Sequence, residues 1–353
     1  MKAKRFLSML LALVMVFALA ACGSSSGGGD DASDEGGEEA AAGDLSGDLV
    51  IYTSAPEADN NTLLDGFGAL YPDLNIELIE GNQGEGIARL QAEAGNPTID
   101  VTYTGINESD GETYKDLYEP YVSPYNSELP ESMQSNGFYN YNLISLCCIC
   151  VNKDLADELG VEITGYESLT DPKLKGKFIS GDPTESSAAW NNVSNIFADY
   201  GYDSDEAWDL LERLLANDMV FGSSGDCFNA VANGEYVAGI TYEAGPLTLI
   251  QEGVDNIEVV YPAEGVSGFL FASAVVKDAP HMEAAKALVD WLTSLEGQQT
   301  QVDLGSTQRR IADGLDLSNS VVPEVDEIGT RDIPWLIENK EAMIEKWTEL
   351  YTK

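Results

Sequence analysis

The sequence predicts an α/β fold of two lobes, each a mostly parallel sheet flanked by helices. Three observations support this prediction. Short apolar runs alternate with stretches of helical periodicity from Asp48 onward. The strand–turn–helix unit recurs in two blocks, one ending near Thr104 and one starting near Lys177. About 300 residues follow the first 47, enough chain for two lobes of ordinary size.

The first 21 residues have the layout of a secretory signal peptide. Basic residues at positions 2, 4 and 5 precede an apolar run from Phe6 to Ala21. That run is too short and wrongly flanked for a membrane span. It ends in Leu19-Ala20-Ala21-Cys22, which resembles a bacterial lipobox. Cys22 is therefore a predicted lipidation site, and ordinary secretion with an incidental Cys22 is the alternative.

The segment 22–47 is predicted to be a solvated tether. From Gly23 to Gly47 it is rich in Gly, Ser and Ala, and it carries seven acids and no base. Such a composition buries almost nothing and stays disordered. We expect a protein held at the extracellular face of the cell membrane, with the lipid on Cys22 as its one membrane contact.

The overall charge narrows the class of partner. The chain has 18 Lys+Arg against 61 Asp+Glu, a formal net charge of −43. A surface of this kind repels nucleic acid and anionic lipid, so neither is an expected partner. Any anion site must instead be built from local dipoles and neutral donors.

The cysteines follow no disulfide or metal motif. Apart from Cys22 they are Cys147, Cys148, Cys150 and Cys227, three of which lie in one apolar strand. We expect buried free thiols rather than a disulfide framework or a cysteine metal site, and the sequence leaves their redox state open.

The first block reads as three strands and two helices. Strands are predicted at 49–53, 75–79 and 99–104, with one helix at 61–71 and a second after a glycine-rich turn at 81–86. The turn matches neither the Walker nor the dinucleotide motif. Ligands of open parallel sheets bind beyond the carboxyl ends of the strands. The candidate contacts at those positions are Ser54, Gly84, Glu85 and Thr104.

A tyrosine-rich stretch, 110–141, separates this block from an apolar strand at 143–151. Its tyrosines, Tyr139 among them, either pack beneath a long loop or serve as ligands of a hard metal.

The second block is organised around Ser180–Trp190. Residues 177–179 read as a short strand, and Trp190 begins the apolar face of a helix. Hydroxyls and free amides at a helix start can hold an anion or a ligand oxygen, and simple helix capping is the alternative. The candidate residues here are Thr184, Ser186 and Ser187.

Two later turns add further candidates. Ser223 and Ser224 lie on a turn after a helix at 205–216, and Tyr242 and Glu243 end a strand. For Tyr242 and Glu243 the alternative is a strand end packed against its neighbour. The remaining elements are strands at 257–261 and 269–277, and helices at 284–295 and 335–351.

These segments together resemble the extracellular solute-binding lipoproteins of ABC importers. Leu49–Tyr52 opens a βαβ unit after a lipobox and an acidic tether, and Val151–Leu155 is similar to the YNKDL segment of that family. The resemblance continues through 169–177, 181–187, 233–236, 261–262 and 283–298. It is nearest to the branch that includes ferric-ion, phosphonate and sugar-phosphate binders.

The resemblance implies a periplasmic-binding-protein fold in which two crossing strands form a hinge and the ligand is held between the lobes. The implied lobes are 48–145 plus 270–353, and 146–269. Thr184, Ser186 and Ser187 would face the cleft from the second lobe, opposite the candidates of the first block. It also implies a small-molecule ligand, an ABC permease as partner, no cofactor and no enzymatic activity, and we expect a monomer.

Two ligand classes remain open. Ferric-ion binders have paired tyrosines where Tyr242 stands, but here Thr241 precedes it, Glu243 follows it, and no histidine follows the first strand. We therefore expect an organic oxyanion, such as a phosphonate or a phosphorylated compound. The alternative ferric site would use Tyr242, Glu243, Glu85 and Tyr139. A hydrolase is less favoured, because the single histidine is poorly placed for a nucleophile–base pair. A cell-surface sensor is also less favoured, because it would share the tether but would not need a two-lobed cleft.

Overall fold

The computed structural model describes residues 45–135, 137–202 and 204–352. The predicted signal peptide, Cys22 and nearly all of the tether lie outside these residues. The strands of the described part are β1 (Gly47–Thr53), β2 (Leu74–Glu80), β3 (Val101–Asn107), β4 (Asn140–Asn152), β5 (Phe178–Gly181), β6 (Val220–Gly222), β7 (Ala238–Tyr242), β8 (Ile257–Val260), β9 (Gly268–Val275) and β10 (Arg309–Arg310). The helices are α1 (Glu57–Leu70), α2 (Gln83–Ala92), α3 (Lys153–Leu159), α4 (Ser187–Tyr200), α5 (Asp205–Ala216), α6 (Asp226–Ala232), α7 (Ala244–Gln251), α8 (Met282–Thr293), α9 (Leu295–Asp303) and α10 (Ile333–Tyr351).

The strands form two parallel groups joined through β4 and β9. In the first group β2, β1 and β3 run parallel, and in the second β7, β5 and β6 do. Between the groups, β9 pairs antiparallel with both β3 and β4, and β4 pairs antiparallel with β7. The predicted α/β architecture, with parallel sheets joined by crossing strands, is confirmed.

The crossing itself has one continuous and one interrupted strand. Residues 140–146 of β4 pair with β9, whereas residues 147–151 of the same strand pair with β7. The return path is made by β8 and β9, which pair with opposite halves of β4 and are linked through residues 261–267. β4 is almost wholly buried, because it is covered on both faces, and this explains why residues 146–151 are all apolar.

Two large hydrophobic clusters form the interior. The first gathers side chains of β1, β3, α1 and α8, such as Leu49 and Phe67, and the second gathers side chains around Phe178 and Trp190. The last helix, α10, contributes Leu336, Met343 and Trp347 to the second cluster, whereas the sequence grouped all of 270–353 with the first lobe. The lobe boundaries stay a proposal.

Two helices bury polar residues that apolar periodicity does not detect. α1 begins at Glu57, earlier than the predicted 61, because Asp59 and Asn60 are buried in its first turns and Asp59 forms an ion pair with Arg310. α4 buries Asn191, Ser194 and Asn195 in addition to its apolar face. Asp59 faces Arg310, and Asn191 and Ser194 face Arg331, whereas Asn60 bonds to Thr53 and Glu80.

The cysteines of the described part match the expectation of buried thiols: Cys147, Cys148, Cys150 and Cys227 are free and buried. Burial raises the pKa of Cys150 and of Cys227 to about 12, so both are unreactive thiols at neutral pH. A search of the described helices finds none with the length and apolar character needed to cross a membrane.

Candidate ligand-binding site

A cavity of about 410 Å³ lies at the carboxyl ends of the parallel strands, between the two groups. Ser54, Gln83 and Thr104 line it from the first group. Ser187, Asn191 and Ser224 line it from the second. This is the position at which open α/β sheets bind their ligands.

The first-group wall is held by a short hydrogen-bond network. The Ser54 hydroxyl donates to the Thr104 carbonyl at 2.7 Å and lies 3.0 Å from the Thr104 hydroxyl. Thr104 has φ 55°, an unfavourable conformation for a β-branched residue, where the pairing of β3 with β9 shifts register. The strained backbone turns Thr104 out of the ladder at the cavity edge, which is a common feature of binding sites.

Four helices begin at the cavity wall. Pro56 precedes α1, Asn82 caps α2, Ser187 starts α4 and Ala244 starts α7, and all four residues line the cavity. The first amides of a helix have no intrahelical acceptor, and the helix dipole places partial positive charge there. The cavity is therefore surrounded by groups that favour a negatively charged or oxygen-rich ligand.

The hydroxyls at the start of α4 have two roles, since one caps the helix and another lines the cavity. Ser186 caps α4 by accepting a hydrogen bond from the Ala189 amide at 3.2 Å, and its hydroxyl lies 2.8 Å from that of Ser224. Ser187 and Ser224 themselves line the cavity. Capping and lining thus coexist, with Ser186 supporting Ser224 from behind.

Four further candidates, Gly84, Glu85, Thr184 and Ser223, lie outside the cavity wall. Thr184 bonds to Asp182 within its own turn, and Ser223 accepts a hydrogen bond from the Asp226 amide. Glu85 completes the capping box of α2 with Asn82, one residue beyond Gly84. None of these side chains is on the lining of the described cavity.

Arg309 is the basic side chain of the cavity wall, and its charge is already paired. Its Nε and Nη2 atoms donate to Glu243 at 3.1 and 2.9 Å, and Tyr261 donates to the same carboxylate at 2.6 Å. Glu243 is only 1% exposed, so this is a largely desolvated pair. The Nη1 atom of Arg309 makes no hydrogen bond to any described residue.

The two crossing strands supply an apolar floor. Leu143 and Ile144 of β4, with Phe269 and Phe271 of β9, line the cavity beneath the polar groups. A ligand that fills this space is expected to carry carbon surface as well as an oxygen-rich group.

The residues of the alternative ferric site are not gathered together. Tyr242 and Glu243 line the cavity, but Glu243 is bound to Arg309. Tyr139 is fully buried in the first cluster, and Glu85 belongs to the α2 cap. Burial raises the pKa of Tyr242 to about 12, which disfavours the phenolate that a ferric ion requires. No group of three His, Cys, Asp or Glu suited to a metal occurs in the described residues.

Sequence reasoning missed several polar residues of the wall, namely Gln83, Asn107, Asn191, Gln308 and Arg309. For Arg309 a signal existed, because two adjacent arginines are unusual in a chain with 18 basic residues. For Asn191 there was none, since an asparagine within a helix normally predicts the solvent face.

A family model described as bacterial extracellular solute-binding protein matches residues 62–310. An uncharacterized protein of Haemophilus influenzae is 26% identical to this chain over 316 residues, which are 86% of this chain and 90% of the relative. A probable ABC transporter periplasmic-binding protein, y4fP of Sinorhizobium fredii, is 25% identical over 228 residues, 63% of each chain.

Solved structures show the same fold. AfuA of Actinobacillus pleuropneumoniae, solved with exogenous fructose-6-phosphate bound, has a TM-score of 0.70 and 24% identity, covering 86% of this chain and 98% of that chain. Iron-bound HitA of Pseudomonas aeruginosa has a TM-score of 0.67 and 19% identity, covering 86% and 99%. Both are two-lobed binding proteins.

Proposed function

The chain belongs to the bacterial extracellular solute-binding protein family, a family of binding proteins rather than enzymes, and we propose that it captures an organic oxyanion for an ABC importer. The proposed solutes are phosphonates or phosphorylated compounds. The observation that carries this proposal is the convergence of four helix N-termini on one cavity of about 410 Å³.

Neutral donors suit this ligand class in an acidic protein. Ser54, Ser187 and Ser224 offer hydroxyls, and the first turns of α2, α4 and α7 offer backbone amides. Hydrogen bonds from such groups to an ionised oxygen are roughly twice as strong as those between neutral partners. The apolar floor formed by Phe269 and Phe271 supports a solute with an organic body rather than a bare inorganic ion.

The ferric alternative rests on Tyr242. Its ring is on the cavity wall, and HitA, a protein of the same fold, is iron-bound. Against it stand the separation of Tyr139 and Glu85 from the cavity and the pairing of Glu243 with Arg309. A ferric ion wants several anionic oxygen ligands, and this wall supplies Tyr242 alone without breaking an ion pair.

The proposed function also includes attachment of the protein to the membrane and delivery of the solute. We propose that the protein is a monomer, anchored by lipid on Cys22 outside the membrane, and that it passes its solute to an ABC permease. Replacing Cys22 by Ala is expected to move the protein from the membrane fraction to the medium or to leave an uncleaved precursor. Detergent partitioning that is unchanged in a correctly processed variant would contradict the anchor.

The ligand class is tested on the purified protein. Mass spectrometry after gentle denaturation identifies any small molecule that co-purifies. Calorimetry then compares fructose 6-phosphate, a simple alkylphosphonate and ferric citrate. We expect the phosphate ester or the phosphonate to bind and ferric citrate not to bind.

Variants separate the two ligand classes. Ser187→Ala with Ser224→Ala is expected to abolish oxyanion binding, at roughly 1–3 kcal/mol for each lost charge-assisted bond. Tyr242→Phe should have a smaller effect. Ser127→Ala with Ser318→Ala removes two exposed hydroxyls and is the matched control. If Tyr242→Phe removes a visible charge-transfer band while the serine variants bind normally, the oxyanion assignment is wrong.

A further inference from the structure

Arg331 lies in a segment that the family match does not include. The match ends at residue 310, and residues 311–332 lead from β10 to α10. β10 pairs with the first-group half of β4, whereas α10 packs into the second cluster. The segment therefore returns the chain to the second half of the molecule and places Arg331 beside β4, β9 and α4.

The guanidinium of Arg331 contacts two residues of the ligand cavity. Its Nη1 atom donates to Asn191 Oδ1 at 2.6 Å, and its Cζ atom lies 4.4 Å from the centre of the Phe269 ring. Asn191 and Phe269 both line the cavity, and Arg331 does not. Arg331 thus supports one part of the cavity wall, at the α4 side.

This contact fixes the orientation of Asn191. An arginine has donors only, so the carbonyl end of the Asn191 amide must face it. The amino end then points the other way, where it donates to the Ser145 carbonyl at 3.3 Å. Ser145 is also on the cavity wall, so the amino end of Asn191 lies at the part of that wall that β4 forms.

The remaining hydrogen bonds of Arg331 go to uncharged groups. It donates to the hydroxyls of Ser267 at 2.8 Å and Ser194 at 2.9 Å, with longer contacts to the Cys147 sulfur and Asn195, both at 3.5 Å. The other two arginines near the cavity differ in this respect. Arg309 is paired with Glu243, and Arg310 with Asp59.

Two carboxyl groups lie near enough to interact with the charge of Arg331 without bonding to it. They are Glu108, which accepts a hydrogen bond from the Leu270 amide, and Asp199, which accepts one from Asn195. Burial raises the pKa of each to about 7, against the lowering effect of Arg331. Neither carboxyl group is bonded to Arg331, so its guanidinium has no direct counter-ion among the described residues.

We propose that Arg331 is a positioning residue for anion recognition, which holds the Asn191 amide in this orientation at the cavity wall and places a guanidinium with no bonded carboxylate behind that wall. The inference rests on the proposed function. It locates the anionic group of the solute at the α4 side, near Ser187 and Asn191, rather than at Arg309.

The test compares three variants with wild type. Arg331→Gln removes the charge, and Arg331→Lys keeps it. Arg213→Gln is the control: it removes a partly exposed arginine of α5, which is paired with Glu167 and with Asp209. The probes are fructose 6-phosphate and methylphosphonate, titrated by calorimetry at two salt concentrations. Arg331→Gln is expected to weaken binding about tenfold or more and to reduce its salt dependence, because a partly desolvated charge is lost. Arg331→Lys should stay within about threefold of wild type, since the charge remains, and Arg213→Gln should be unchanged.

Each outcome decides the question. If wild type binds an anionic probe and Arg331→Gln binds it as tightly, the role of Arg331 is wrong while the proposed function stands. Equal losses in Arg331→Gln and Arg331→Lys would assign Arg331 a purely structural role and overturn the inference. If wild type binds ferric citrate and neither anionic probe, both proposals fail.

Where Arg331→Gln does not fold, Asn191→Ala replaces it. The inference is supported if Asn191→Ala binds the anionic probe more weakly than wild type while Arg331→Lys binds it normally. Normal binding by Asn191→Ala overturns the inference.

Discussion

Glu243 lines the cavity, and its contacts add a role that the sequence does not indicate. The sequence proposed it as a ligand contact or a metal ligand, and it does line the cavity. The structure shows that it neutralises Arg309 and accepts the hydroxyl of Tyr261. An unpaired carboxylate on the cavity wall would repel an anionic ligand. The ion pair with Arg309 neutralises the charge of Glu243 and so removes this repulsion.

Glu243→Gln therefore has two expected effects. It leaves Arg309 unpaired and largely buried, and breaking such a pair by removing one partner typically costs about 3–5 kcal/mol of unfolding free energy. It also exposes a net positive charge at the cavity, so binding of an anionic probe should become tighter. Urea unfolding and calorimetry with fructose 6-phosphate measure the two effects. Glu252→Gln, an exposed carboxylate at the end of α7, is the control. Weaker anion binding by Glu243→Gln would contradict the view that Glu243 acts at the cavity by neutralising Arg309.

Glu108 and Asp199 give a pH dependence at the residue scale. The folded pKa of each is about 7, above the ordinary values of 4.5 and 3.8. The native state therefore binds more protons than the unfolded state between those values and pH 7. These two groups stabilise the fold fully below their unfolded pKa, and that contribution is lost as pH rises through 7. Glu108→Gln should flatten the fall in melting temperature between pH 5.5 and pH 8. An unchanged pH profile would count against a buried acid at this position.

The candidate site was predictable where local geometry alone decides it. Strand ends and helix starts converge at one edge of a parallel sheet, and both can be predicted from the sequence. The residues of the cavity wall that were predicted in this way are Ser54, Thr104, Ser187 and Ser224. Arg309 and Asn191 were not predictable, because their role depends on partners 66 and 140 residues away. For Thr184 and Glu85 the sequence could not separate ligand contact from capping, because a hydroxyl or carboxylate at a helix start also serves the turn itself.

At the scale of elements, strands and apolar helix faces followed the sequence pattern closely. The apolar run of β4 and the hydrophobic face of α4 were both predicted, as were the parallel groups they belong to. The failures lie where a helix buries polar groups. Asp59 in α1 and Asn195 in α4 are fully buried because arginines 310 and 331 reach them from distant segments.

α10 is the element whose placement differs most from expectation. Trp347 is 2% exposed in the second cluster and packs against Phe221, at the edge of β6. Trp347→Ala is expected to lower the unfolding free energy by about 3–5 kcal/mol, because it removes a buried aromatic side chain and leaves a cavity. Urea unfolding followed by circular dichroism measures the loss. Tyr351→Ala, at a 50% exposed position on the same helix, should have a much smaller effect. Equal effects of the two would mean that α10 is not integral to this cluster.

At the scale of the whole molecule, three stretches of chain link the two groups of strands. β4 runs through both as one strand, residues 261–267 join β8 to β9, and residues 311–332 join β10 to α10. The third stretch is fastened near its end, since the Gly329 amide donates to the Val266 carbonyl and the Asp332 amide to the Tyr202 hydroxyl. We therefore expect any bending between the groups to centre on the residues around Leu146 and Ser267, where the pairing partners of β4 change.

The last prediction follows from this arrangement. Few strands cross between the groups and the ligand cavity lies directly over them, so a bound solute that contacts both walls should favour closure about the crossing. Small-angle scattering is expected to show a smaller radius of gyration with saturating fructose 6-phosphate, or with the solute that co-purifies, than without it. The Ser187→Ala, Ser224→Ala variant is the control, because it keeps the hinge and loses contacts on one wall only, and its radius should not respond. A wild-type radius that stays constant at saturation would show that binding does not close the molecule, whatever the solute is.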